Sequence, residues 1–202
     1  MLRFDPEKHE YFWHEKQVPC VSNIIECAGN FLVPLRDFGD AEKMAHWHAL
    51  HKMVEVKAGF GSTIHLYLEM SDNGTLDPDR AKWDERAVPY VDAWQRFREQ
   101  YQLTTNPIIE EMFYDKELGV AGRRDRRWPG VVCEIKTSEP NDVAGLQLAG
   151  YAHPLPDAEN QRLMACFLSS KGSYKVREYS YKKYLNLYKC AYTLYNFKHG
   201  GR

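Results

Sequence analysis

The sequence predicts an α/β fold, in which a central mixed β-sheet is flanked by helices and preceded by a small β-hairpin arm. In residues 120–136, side chains that alternate between two faces flank a Trp-Pro-Gly break, which is typical of two strands joined by a tight turn. Aromatic residues recur at three- and four-residue steps across 83–101 and 184–197, which indicates two helices that each bury one face. We expect the first of these helices to begin at Asp77 and to be kinked or split at Pro89.

Length and composition favour one domain over residues 1–202, with residues 1–35 forming the arm and a short helix. The 27 Lys and Arg residues nearly balance the 28 Asp and Glu residues, so DNA binding would need a local basic patch. Five scattered cysteines without a Cys-x-x-Cys pair predict reduced thiols and a cytoplasmic protein. No apolar run approaches the length of a membrane span, so we expect no membrane partner.

The predicted hairpin brings acidic side chains together. Its turn is Pro129-Gly130, and Asp125 lies on the first strand. Residues two apart in a strand share a face, so Glu134 and Lys136 point the same way, and Asp125 can lie opposite them. The alternate residues of the second strand point into a core: Val131, Cys133 and Ile135.

Two carboxylates that converge on one point repel each other unless a divalent cation lies between them. Hard oxygen ligands with open water positions suit Mg²⁺ or Mn²⁺. A neighbouring lysine can orient or deprotonate a water molecule, while the cation stabilises charge on a phosphate. The short motif alone is equally compatible with a hairpin that has a solvated, charged face.

Helical segments on either side of the hairpin carry further polar pairs. Glycines and hydroxyl residues start a helix near residue 62, on which His65 and Glu69 share a face. A lone helical histidine is more often a surface or core residue than a metal ligand. Gln147 and Tyr151 lie four apart on a helix after the hairpin. A third helix, residues 40–57, carries three histidines, for which we prefer a solvated or DNA-facing role.

Together these patterns resemble the PD-(D/E)XK nuclease superfamily, and in particular its RecB-like exonucleases of phage type. The resemblance covers residues 59–153 and has a fainter part at the amino end. It is carried by the following motifs: Gly61-x-x-x-His65-x-x-x-Glu69, Gly122-x-x-Asp125, Glu134-x-Lys136, Gln147-x-x-x-Tyr151 and the leader Val18-Pro19-Cys20-Val21-Ser22.

The resemblance implies a restriction-endonuclease-like core and a metal-dependent DNA exonuclease of phage or prophage origin, acting in recombination, repair or genome processing. It implies that Lys136 positions or activates the attacking water. The Mg²⁺ or Mn²⁺ ligands that it implies are His65, Asp125, Glu134 and the Ile135 carbonyl. The expected partner is DNA with a single-stranded segment or a free end. The residues that it implies contact this substrate are Gln147, Tyr151, Arg123 and Arg127.

The resemblance also includes a glutamate on the strand before the hairpin, and alternation favours Glu111 over Glu110 for that position. Glu111 is then either a neighbour of the metal site or the structural partner of an arginine. Arg123 and Arg127 share the face of Asp125 in a regular strand, where they could clamp phosphates or pair with nearby acids. We expect no iron–sulfur cluster, because close-spaced cysteines are missing from the carboxy-terminal part of the sequence.

Other functions are compatible with parts of this pattern. A sequence-specific endonuclease or junction resolvase of the same superfamily would use the same residues. A non-catalytic nucleic-acid-binding protein could keep the fold, although it has no need for two acids beside a phosphate backbone. A hydrolase of small phosphates lacks support, since the sequence has no glycine-rich loop of the phosphate-cradling type.

Overall fold

The computed structural model describes residues 1–32 and 59–200, and it confirms the mixed α/β architecture. The predicted helix over residues 40–57, with its three histidines, lies outside the described residues. Within the part that is described, no helix is long and apolar enough to cross a membrane.

The amino-terminal arm is an antiparallel sheet of three short strands, β1 (Leu2–Asp5), β2 (Glu10–Trp13) and β3 (Lys16–Val18). Helix α1 (Val21–Leu32) follows it directly. The prediction of an arm and a helix in this part of the chain is therefore confirmed.

The central sheet has five strands, and their order in space follows their order in the chain. These strands are β4 (Ile108–Asp115), β5 (Val120–Trp128), β6 (Val131–Lys136), β7 (Arg162–Leu168) and β8 (Tyr174–Tyr179). Neighbours pair antiparallel except β6 and β7, which are parallel. A parallel pair needs a crossover, which helix α4 (Val143–Ala152) supplies. Strand β6, which carries the predicted catalytic residues, consequently lies in the middle of the sheet.

Helices cover both faces of this sheet. One face packs against α1, α4 and the last helix, α5 (Tyr181–Lys198), in a core that includes Val132 and Leu163. The opposite face packs against α2, which includes residues 59–72, and α3 (Val88–Gln100). Two short 3₁₀ turns, Arg80–Lys82 and Ala158–Asn160, lie in the connections. Successive residues of a strand point to opposite faces of its sheet. Along β6, side chains therefore point in turn toward the layer of α1, α4 and α5 and toward the layer of α2 and α3.

Helix α3 begins later than the sequence predicted. The segment after Asp77 forms only the Arg80–Lys82 turn, and the helix starts at Val88 with Pro89 in its first turn. A proline is well accommodated there, since its missing N–H has no partner within a helix anyway. Pro89 therefore starts this helix and does not kink it.

The central sheet opens between β5 and β6, immediately beyond the hairpin turn. Pairing runs from Trp128 opposite Val131 to Arg126 opposite Cys133 and then stops. The next opposed pair would be Asp125 and Glu134. Instead, the backbone N–H of Ile135 donates a hydrogen bond to Asp125 Oδ2 at 2.8 Å. This opening lets side chains from both faces of the sheet reach one point.

Candidate functional site

A cleft of about 520 Å³ lies at the point where β5 and β6 separate. Helix α2 forms one side of it, and β5, β6 and α4 form its floor. Most of the residues that the sequence analysis selected line this cleft or lie directly beneath it: His65, Asp125, Glu134, Ile135, Lys136, Gln147, Tyr151 and Arg123.

Glu134 is buried below the floor of the cleft, and only one of its two carboxylate oxygens is paired. Lys136 Nζ donates a hydrogen bond to Glu134 Oε1 at 2.6 Å. Glu134 Oε2 is also buried, yet no described residue offers it a hydrogen bond. Burial and the negative charge of Asp125 raise the pKa of Glu134 to about 7. The site therefore contains a buried carboxylate oxygen that lacks a donor among the described residues.

Lys136 is held by a short chain of hydrogen bonds that leads into α4. Its Nζ donates to Gln147 Oε1 at 2.9 Å, and Gln147 Nε2 donates to the Tyr151 hydroxyl at 2.7 Å. Burial alone would lower the pKa of Lys136, but the charges of Glu134 and Asp125 raise it. Lys136 is therefore a fixed cation with a defined orientation.

His65 reaches the opening from α2, on the other face of the sheet. Its Nε2–H donates to the Ile135 carbonyl oxygen at 3.2 Å. Its Nδ1 lies 3.8 Å from Asp125 Oδ1 and 3.9 Å from Glu110 Oε1. Burial opposes protonation of the ring, but the negative charges of Asp125, Glu134 and Glu110 raise the pKa of His65 to about 9.

Three of these groups form a compact cluster of metal-ligand type. Single ligand atoms of His65, Glu110 and Asp125 all lie within 4.8 Å of one another. Together with the orphaned Glu134 oxygen and the Ile135 carbonyl, they supply one imidazole and several hard oxygens. This donor set fits a divalent cation, which would satisfy the free Glu134 oxygen.

Glu110 rather than Glu111 lies beside His65 and Asp125, although strand alternation favoured Glu111 for the position next to the candidate site. Glu110 has a left-handed backbone, with φ of +50°, and it forms no pair with Asp125 opposite. This local distortion breaks the regular alternation of β4. Glu111 instead accepts hydrogen bonds from Arg124 at 3.0 Å and from Arg127 at 2.6 Å. Glu111 is thus the structural partner of arginines, which was the other alternative.

The two arginines predicted to contact substrate have different environments. Arg127 does not line the cleft. Its Nε and Nη2 both donate hydrogen bonds to Glu111, so Arg127 pairs with a nearby acid, as one of the two alternatives predicted. Arg123 does line the cleft, and its side chain is 40% exposed. Its Nε pairs with Glu110 Oε2 at 2.8 Å, and its guanidinium lies 5.2 Å from the Phe4 ring centroid. Of these two arginines, Arg123 is therefore the one that can contact a molecule in the cleft.

A second group of buried charges lies behind the site and was missed by the sequence analysis. We call it the Asp72 cluster: Asp72, Trp94, Arg98 and Arg126. Asp72 Oδ1 accepts from Trp94 Nε1 at 2.9 Å and from Arg98 Nη1 at 2.8 Å, while Oδ2 accepts from Arg126 Nε at 2.6 Å. Arg126 Nη1 also donates to the Asp125 carbonyl at 2.7 Å. The cluster thereby links α2 and α3 to the strand that carries Asp125.

No protein-family model matches this chain, and no curated protein matches it. The functional conclusion therefore depends on the chemistry of the cleft.

The amino-terminal arm also contributes to that cleft, through His9 and Tyr11, although the sequence analysis assigned it no residue of the site. Nothing in the local sequence around His9 indicates this, because it results from how the arm docks on the central sheet.

Proposed function

We propose that this protein is a divalent-metal-dependent nuclease that hydrolyses phosphodiester bonds in DNA, as the resemblance to RecB-like exonucleases implies. The observation that carries the proposal is the buried, unpartnered Glu134 Oε2 beside Asp125, with Lys136 fixed on the other Glu134 oxygen. A buried carboxylate oxygen without a partner is costly in a folded protein. A bound cation would remove that cost, and the adjacent ammonium group suits reaction at a phosphate.

The ligands in this proposal are Asp125, Glu134, His65 and the Ile135 carbonyl, with Glu110 beside them. Mg²⁺ or Mn²⁺ fits best, because oxygen donors predominate and Mn²⁺ also accepts an imidazole. When bound, the cation supplies Lewis-acid stabilisation of the negative charge that develops on the phosphate. Arg126 keeps the Asp125 backbone in place from behind.

Lys136 holds the attacking water in line with the bond that breaks. Its pKa is raised above the ordinary value, so it acts as a charged donor that orients the water and stabilises the phosphate oxygens. Gln147 fixes the position of the ammonium group, and Tyr151 in turn fixes Gln147. Arg123 presents its exposed guanidinium to a phosphate of the substrate strand.

The proposal is tested with end-labelled linear and with circular single-stranded DNA, in Mg²⁺, in Mn²⁺ and in chelator. We expect metal-dependent loss of the linear DNA alone, and a loss of activity of roughly a thousandfold in Lys136→Ala and in Asp125→Ala. Lys175→Ala is the matched control, since Lys175 is an exposed lysine outside the cleft.

Cleavage of the circle would replace the exonuclease with an endonuclease that uses the same site. If the wild-type protein binds both DNAs and cleaves neither in any metal, the catalytic proposal is wrong and the protein is a nucleic-acid-binding module. Full activity in chelator would exclude the metal dependence.

A further inference from the structure

The amino-terminal arm forms one wall of the candidate active-site cleft. Its position is fixed by a parallel bridge between Cys20 and Ala121 and by a hydrogen bond from Ala121 N–H to the Pro19 carbonyl at 2.9 Å. Trp13 also stacks on Tyr114 of β4, with ring centroids 4.3 Å apart. The arm is thus attached to the two strands that lead into the site, and its residues keep a defined position relative to Asp125.

Two nitrogen-bearing side chains pack around one aromatic ring in this wall. The His9 ring meets the Phe4 ring edge-on at 5.2 Å, and the Arg123 guanidinium lies 5.2 Å from the same ring. Both His9 and Arg123 line the cleft. The His9 imidazole and the Arg123 guanidinium therefore contact the same ring, and both groups can donate hydrogen bonds to phosphate oxygens.

His9 contacts Phe4 through its side chain and also lines the cleft. Its backbone is left-handed, with φ of +54°, a conformation that is uncommon for residues other than glycine and that costs energy. Its side chain is exposed, and no hydrogen bond joins its ring to any residue in the described parts of the chain. A ring N–H therefore remains available to a molecule in the cleft.

Helix α2 also lines the cleft, through His65, Leu66 and Glu69. Leu66 is 55% exposed, so its apolar side chain is accessible to a sugar or a base of a bound strand. His65 belongs to the metal-ligand cluster, so a phosphate bound at that cluster would also lie beside α2.

We propose that His9 is a substrate-positioning residue, whose imidazole donates a hydrogen bond to a backbone phosphate next to the one that is cleaved. Arg123 contacts the same stretch of backbone. The inference rests on the proposed nuclease function and extends it, because it assigns the amino-terminal arm to substrate binding.

The test compares His9→Ala with His14→Ala. His14 is the matched control, because it lies in the other turn of the same arm, between β2 and β3, is exposed and is also left-handed, with φ of +47°. It lies at the other end of β2, contacts Trp13 and does not line the cleft. For His9→Ala we expect a KM for single-stranded oligonucleotide about tenfold higher, with kcat within about twofold of wild type. His14→Ala should match wild type in both constants. His9→Gln keeps an N–H donor, so its KM should lie between that of wild type and that of His9→Ala.

A second measurement follows binding without turnover. Fluorescence anisotropy gives the affinity of Lys136→Ala for the oligonucleotide, with and without His9→Ala, and we expect the double variant to bind about tenfold more weakly. Unchanged KM and affinity in the His9 variants would overturn the inference while leaving the nuclease proposal intact. Equal losses in His9→Ala and His14→Ala would also overturn it, since they would show a structural role.

The anisotropy measurement also separates failure of the inference from failure of the proposed function. If the wild-type protein cleaves nothing but His9→Ala alone weakens binding, the nuclease proposal fails and the phosphate contact is supported. If cleavage is absent and affinity is unchanged in His9→Ala, both are wrong.

Discussion

Asp72 and Glu134 are both buried carboxylates, yet their surroundings are opposite. The Asp72 side chain is 0% exposed and accepts three hydrogen bonds from side chains of α3 and β5. The Glu134 side chain is 2% exposed and accepts one, from Lys136, while its second oxygen has no partner in the described structure. Arg126 joins Asp72 to the backbone carbonyl of Asp125, and the negative charge of Asp125 acts on Glu134.

A buried carboxylate with all its hydrogen bonds stabilises the fold, whereas a buried carboxylate with an unpaired oxygen is suited to binding a ligand. A buried charge that is fully hydrogen-bonded is costly to disturb, because removing it leaves its partners unpaired. A buried charge that is incompletely paired destabilises the protein until something binds. Asp72 belongs to the first kind, and we assign Glu134 to the second. Substitutions at the two positions should consequently have opposite effects on stability and activity.

The largest effect should be on activity, in Glu134→Gln. The amide keeps an oxygen for Lys136 but removes the charge that would hold a cation, so we expect nuclease activity to fall roughly a thousandfold. Stability without metal should be unchanged or higher, since the repulsion between Glu134 and Asp125 is gone. Initial rates and thermal unfolding check both parts. A variant that keeps a tenth of the activity, or that melts well below wild type, would contradict the assignment.

Asp72→Ala should give the largest loss of stability. It leaves Arg126 and Arg98 without their carboxylate, and breaking a buried pair in this way costs about 3–5 kcal/mol. Guanidinium unfolding measures the free energy difference. Asp92→Ala serves as the control, since Asp92 pairs with the half-exposed Arg80 at the surface and should contribute less than about 1 kcal/mol. Equal losses in the two variants would show that the Asp72 cluster has no special structural role.

A smaller and pH-dependent effect is expected at a third buried carboxylate, Asp115. It accepts hydrogen bonds from His153 Nδ1–H at 2.6 Å and from the backbone of Glu117 and Leu118, so it resembles Asp72. Burial raises the pKa of Asp115, but these hydrogen bonds outweigh it and lower the pKa overall.

Because the pKa of Asp115 is lower in the folded state, its stabilisation is present above the ordinary aspartate pKa and is lost as the pH falls through the folded value. Asp115→Asn should therefore cost about 1–2 kcal/mol at pH 7. The deficit should shrink below about pH 4. Denaturant unfolding at several pH values measures it. A deficit that stays constant down to pH 3 would mean that the charge of Asp115 is not what matters.

The core of the candidate site could be predicted because its geometry is local. Asp125, Glu134 and Lys136 lie on two consecutive strands joined by one turn, and strand alternation puts Glu134 and Lys136 on one face. Gly130 adopts φ of +75° in that turn, as a Pro-Gly pair indicates. The parallel β6–β7 pair around α4 follows from the strand–helix–strand order of the segments in the same way.

Glu110 and Glu111 could not be separated by such an argument. Alternation assumes a regular strand, and the left-handed backbone at Glu110 is an exception that local sequence does not encode. The assignment depends on which arginines are nearby, since Arg124 and Arg127 bind Glu111 whereas Arg123 and His65 approach Glu110. Such competition among neighbouring ion pairs is decided by tertiary structure.

The Asp72 cluster and the cleft wall formed by the arm were unpredictable for a related reason. Asp72 and Arg126 are 54 positions apart, and only the packing of α2 on the sheet brings them within 2.6 Å. His9 reaches the cleft through the docking of one sheet on another, which leaves no periodic pattern in the sequence.

The central place of β6 also has a consequence for the order in which the candidate site forms as the chain is made. Every ligand of the candidate metal site lies before residue 137, and Gln147 and Tyr151 follow soon after it. Yet β6 is enclosed only when β7, Arg162–Leu168, pairs along its other edge. A growing chain that ends before β7 would carry these groups on a strand with one open edge, so the site would be enclosed only after its own side chains had all been made.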